Sequence, residues 1–131
     1  MNYTDPNAEM KRDTVQASIQ NAESCISLFD DAIYCRRHIA RDCLKIRARV
    51  SELTRGVRNL DARALNSRHA AEKDLDALYD LCCRLHGLCG YFQNNSGALS
   101  GLLLKQPSIE LSGICMELEL LAAPKRRALA N

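Results

Sequence analysis

Tryptophan is absent from this chain, aromatic residues make up only 5% of it, and glycine and proline together fill nine of its 131 positions. Sheets draw on β-branched and aromatic residues and need turn residues at short intervals, so this composition argues against β structure. No apolar run approaches the ~18 residues that a membrane-crossing helix requires. The longest are Leu102-Leu103-Leu104 and Leu120-Leu121-Ala122-Ala123, the latter ended by Pro124. The start of the chain carries Asp5, Glu9, Lys11, Arg12 and Asp13 and holds no apolar core of signal-peptide length. A soluble, cytoplasmic protein with no membrane span is expected.

Catalytic signatures are missing as well. There is no glycine-rich phosphate loop, no Walker pattern and no Glu-x-x-His pair of the kind that builds di-metal sites in bundles. The three histidines, His38, His69 and His86, lie in helical sequence without the tight turns that display a nucleophile. The reading is therefore of a non-enzyme, with no catalytic residues and no cofactor.

What the sequence does hold is apolar spacing. Val15, Ile19, Ala22, Ile26, Phe29 and Ile33 step by 4 and 3 in alternation, which puts them on one stripe of a helix. Thr4-Asp5-Pro6 supplies a cap and a first-turn proline ahead of it. A second seam runs Ile39, Cys43, Ile46, Val50, Leu53, Val57, Leu60 and Ala64. Ile33 and Ile39 are six residues apart where an unbroken seam needs seven. Either the helix continues through a local phase shift or it breaks near Asp30-Asp31. With no Gly or Pro between Asn7 and Arg55, continuity is favoured, giving one helix over about 6–62 that ends before Asn66-Ser67. A third seam, Ala71, Leu75, Leu78, Cys82, Leu85, Cys89 and Phe92, marks a helix over about 68–93, followed by a loop at Gln93-Asn94-Asn95-Ser96-Gly97. Pro107-Ser108 and Pro124 bound a short apolar helix over 107–122, and 124–131 reads as a flexible basic tail. The fold class is all-α: a single domain, either a long-helix bundle or an antiparallel coiled coil.

Such ridges must be buried, against each other or against another molecule. The predicted C-terminal helix is apolar around most of its circumference, so Ile109, Leu111, Ile114, Met116, Leu118 and Leu121 are the expected partner-binding residues. The partner is a second copy, with a dimer the favoured stoichiometry, or another helical protein. Two long helices, a short apolar helix and a tail look like the plan of small bacterial export chaperones and of many coiled-coil complex subunits. That resemblance is one of architecture and assigns no function.

Charge is unevenly placed. Residues 1–35 carry net −4, whereas residues 36–68 hold ten basic and three acidic side chains, net +7. The bland reading makes the basic helix the electrostatic complement of acidic neighbours. The rival reading is nucleic-acid binding through Arg36, Arg37, Arg41, Arg49, Arg55 and Arg58. The cations are spread over the whole solvent face of the seam instead of forming one stripe, and no aromatic is interleaved for stacking on bases, so the bland reading comes first.

Seven cysteines, an odd number at mostly apolar helical positions, read as reduced, buried thiols. Cys82, His86 and Cys89 share a helix face at i, i+4 and i+7, and Cys35, His38 and Asp42 do so at i, i+3 and i+7; thiolate and imidazole would suit zinc. Against this, Cys82 and Cys89 are seam positions, and no Cys pair has the two-to-four-residue gap from which structural zinc sites usually draw ligands. Packing is the preferred account, and no metal is expected.

Overall fold

The computed structural model describes residues 6–34, 39–60, 72–95 and 97–130, with side chains placed for 14–34, 39–60, 74–95 and 97–121. Among the described residues there are four α-helices and no strand: α1 (Pro6–Tyr34), α2 (Ile39–Arg58), α3 (Glu72–Asn95) and α4 (Ala98–Ala130). α1 opens on Pro6, whose missing N–H would have had no intrahelical partner in any case.

The four helices form a bundle in which α1 packs on α2 and α3, and α4 packs on the same two. α1 and α2 run antiparallel, with Gly56 against Ser18 and Thr14. α1 and α3 run parallel: Gln16 Nε2 donates to Asp74 Oδ2 at 3.0 Å, and further along Arg84 bonds Asp30 at 3.2 Å. α3 and α4 run antiparallel, with Cys83 facing Cys115 and Gly101 facing Gln93. The bundle is thus two hairpins laid side by side. α2 and α3 occupy a diagonal, which the chain crosses between Leu60 and Glu72.

The antiparallel packing of α1 on α2 overturns the single helix over 6–62. The six-residue step from Ile33 to Ile39 is where the chain reverses, not a phase slip within a rod, and α1 continues through Asp30-Asp31 to Tyr34. The seam of α1 is also rotated. Ser18, Cys25 and Ala32 are buried beside Val15, Ala22, Ile26 and Phe29, while Ile33 is 44% exposed. A helix at a bundle corner faces two neighbours, so its buried arc is wider than one stripe. Small residues fill its centre where the backbones come close.

α2 and α3 bury the predicted seams: Ile39, Cys43, Ile46, Val50, Leu53 and Val57 on one, Leu75, Leu78, Cys82, Leu85, Cys89 and Phe92 on the other. Ala64, Asn66-Ser67 and Ala71 lie outside the described residues. Phe29 and Phe92 stack across α1 and α3 with ring centroids 5.2 Å apart.

The largest departure is α4. It begins at Ala98 instead of 107 and continues to Ala130, through both Pro107 and Pro124 and through the segment read as a tail. A proline inside a helix costs about 3 kcal/mol through a lost hydrogen bond and a clash one turn back. Tertiary burial offsets that cost: Ser100, Leu104, Pro107, Leu111, Ile114 and Leu118 form one continuous buried ladder stepping 4, 3, 4, 3, 4. The turn before it is correspondingly short. α3 runs through the predicted loop to Asn95, whose side-chain amide donates to the Tyr91 carbonyl at 2.7 Å. Gly97, at φ 95°, then reverses the chain in a conformation that side chains with a Cβ rarely adopt.

Candidate functional site

Three candidate sites follow from the sequence, and the bundle places their residues differently. Of the metal-ligating set, Cys82 and Cys89 point into the core while His86 is exposed. Among the described residues no group of three His, Cys, Asp or Glu side chains is arranged to hold a metal ion. Cys35 and His38 lie outside the described residues; Asp42 is buried in the first turn of α2, where the helix dipole favours a carboxylate. Burial also keeps the core thiols protonated. It pushes the Cys25 thiol up to about 11, with nearby Arg49 opposing, and the Cys89 thiol up to about 12, with Cys25 and Cys43 adding to the rise. Cys82 and Cys43 are raised by burial in the same way. Neutral thiols are poor nucleophiles and poor ligands.

The basic segment lies on α2. Arg41, Lys45, Arg47, Arg49, Arg55 and Arg58 are all exposed and spread over its outer half, with Glu52 among them. Among the described residues only Arg58 of these forms an ion pair, its Nε 3.7 Å from Glu117 Oε1 on α4. The described cations therefore lie on the solvent side of α2, with Arg58 turned to α4. Arg36 and Arg37 lie outside the described residues.

The third candidate is the apolar face of α4. Leu111, Ile114 and Leu118 are enclosed by the bundle's own core and present no surface to a partner; Leu121 is half-buried. Ile109 and Met116 are 56% and 64% exposed. They belong to a stripe that the sequence reading missed: Leu102, Ile109 and Met116 repeat every seven residues, with Leu120 one turn beyond. Leu102 and Leu120 are 72% and 73% exposed. At 100° per residue these four lie on the side of α4 opposite the Leu104–Leu118 ladder. The spacing was visible in the sequence, but Leu102 preceded the proline taken as the start of the helix. Leu120 and Leu121 also join Val57, Arg58, Leu60 and Glu117 in lining a groove of about 320 Å³ between α2 and α4.

Further exposed apolar side chains are Ile33 and Tyr34 at the end of α1, Leu44 on α2, Tyr91 on α3 and Leu99 on α4. No helix of the described residues is long and apolar enough to cross a membrane. The sequence matches no protein-family model, and no curated protein or solved structure is significantly similar to it.

Proposed function

We propose that this chain is a non-enzymatic helical interaction protein whose outer α4 face pairs with an amphipathic helix, in the first instance that of a second copy. One observation carries the reading. α4 has already buried an apolar ladder, yet it presents Leu102, Ile109, Met116 and Leu120 to solvent on its other side. A helix packed on one face of a bundle needs only one apolar face, and a second one marks an interaction surface.

Magnitudes favour a partner that brings a ridge of its own. Complete burial of four such side chains yields roughly 6–12 kcal/mol gross. Association itself costs about 4–15 kcal/mol. One stripe against a polar surface therefore leaves little net affinity, whereas two stripes facing each other double the gain. The seven-residue repeat is the spacing at which helices pair side by side, and a second copy supplies an identical ridge.

Sedimentation equilibrium tests this directly. The wild-type chain should show concentration-dependent association, and Ile109→Asp/Met116→Asp should sediment as a monomer with unchanged helicity and melting temperature. If wild type and variant sediment identically at every concentration, pairing through α4 is wrong.

A second reading has its own support. The α2 cations are all exposed, and among the described residues only Arg58 of them is ion-paired. Such a face would take a phosphate backbone without reading bases, with affinity falling steeply as salt rises. Changing Arg41 and Arg55 to Gln should shallow that salt slope by about two. No mobility shift at low salt with DNA or RNA removes this alternative.

A further inference from the structure

Cys83 of α3 and Cys115 of α4 differ from the core thiols. Cys83 is exposed, Cys115 is half-buried, and their Sγ atoms stand 4.0 Å apart across the interface between the two helices. Cys25, Cys43, Cys82 and Cys89 are buried out of reach of solutes. Polar groups flank the pair on both helices. The Tyr79 hydroxyl, one turn before Cys83, is hydrogen-bonded to it, and Glu119, one turn after Cys115, lies near enough for its charge to act on Tyr79. A disulfide requires these sulfurs to close from 4.0 Å to roughly 2 Å.

We propose that Cys83 and Cys115 are an oxidation site, converted by a hydroperoxide into a disulfide that ties α3 to α4. Cys83, the exposed member, reacts first as its thiolate. Its sulfur bonds the terminal peroxide oxygen, the O–O bond breaks, and the departing oxygen takes a proton to leave as water or alcohol. Cys83 is then a sulfenic acid. The Cys115 sulfur attacks it, the S–S bond forms, the S–O bond breaks, and the hydroxide leaves as water with the proton of the Cys115 thiol. Two electrons pass from the two sulfurs to the peroxide. The environment sets this order. Burial, and then the neighbouring Cys83, hold the Cys115 thiol up to about 12. Reduction by a small dithiol reverses the bond.

This inference is independent of the α4 pairing. The full-length reduced chain is treated with a slight excess of hydrogen peroxide, then quenched, digested without reductant and mapped by mass spectrometry. A peptide linking residues 83 and 115 within one chain is expected, together with a melting temperature raised by several degrees and restored by dithiothreitol. Cys83→Ser should remove the link. Cys115→Ser should also remove it and leave Cys83 to overoxidise to sulfinic acid, which the wild type resists at the same dose. Links among other cysteines, covalent dimers through Cys83, or equal overoxidation of wild type and Cys115→Ser would each overturn the proposal.

Discussion

α2 and α4 lie side by side in the bundle and are alike on the inside, each contributing a continuous apolar ladder to the core. Outside they differ. The outer half of α2 carries six exposed cations and the single exposed large apolar residue Leu44; that of α4 carries Leu102, Ile109, Met116 and Leu120 in a row. The core asks the same of both helices, so their inner faces report on folding. Their outer faces are free of that demand.

The most severe way to break the bundle is through its buried and half-buried thiols, which lie on α1, α3 and α4. The Cys25, Cys89 and Cys115 thiols lie at about 11, 12 and 12 in the fold, against an ordinary 9.0. A folded pKa above the unfolded one means that the fold prefers the neutral thiol. This stability is fully present below pH 9 and is lost as pH rises through about 11–12. The urea midpoint should fall across that window, and less steeply in Cys89→Ala; parallel curves for the two proteins would refute the assignment. Next in size, Leu53→Ala on α2 and Leu111→Ala on α4 should each cost about 2–5 kcal/mol in denaturant unfolding. The outward Leu44→Ala and Ile109→Ala should stay within about 0.5 kcal/mol for the monomer. If Ile109→Ala cost as much as Leu111→Ala, the two-faced description of α4 would fail.

A smaller effect sharpens the view of how α1 approaches α2. A Cβ at Gly56 would stand 2.8 Å from Ser18 Oγ, and Ser18 is itself buried. Gly56→Ala should cost about 1 kcal/mol despite the better helix propensity of alanine. Adding Ser18→Ala should return that loss, and a double-mutant cycle measures the coupling. Additive behaviour would show that the two residues do not touch. Least of all is expected from Arg58→Gln or Glu117→Gln. Their 3.7 Å pair is 63% and 43% exposed, so it should contribute ~0.5 kcal/mol or less and fade with salt.

How far the sequence revealed this structure depends on the neighbours of each helix. The seams of α2 and α3 were legible because each buries a regular 4-3 ladder of large apolar residues. That of α1 was legible in Val15, Ala22, Ile26 and Phe29 but drawn too narrow, and it wrongly included the exposed Ile33. Its further buried positions, Ser18, Cys25 and Ala32, carry too little hydrophobic signal to stand out beside Ile33. α4 was cut short by Pro107, a strong local stop that six consecutive buried rungs override. The same error displaced the candidate site. Leu111, Ile114 and Leu118 stand out as apolar, but the core claims them, and only Ile109 and Met116 of the expected contact residues are exposed. Hydrophobicity marks what is buried; which apolar residues remain outside depends on where the neighbours sit.

The division into two sequence-local hairpins also bears on kinetics. α1 with α2, and α3 with α4, close over short stretches of chain, whereas joining the hairpins requires the distant pairings of α1 with α3 and α2 with α4. Local contacts form early at low loop entropy, which makes the hairpin-to-hairpin seam the late step. Truncating Phe29 or Phe92, which stack across that seam, should then accelerate unfolding while leaving the refolding rate nearly unchanged. Replacing Gly97 at the α3–α4 reversal should slow refolding instead. The lifetime of the native bundle is accordingly set along the junction of its halves and not within either one.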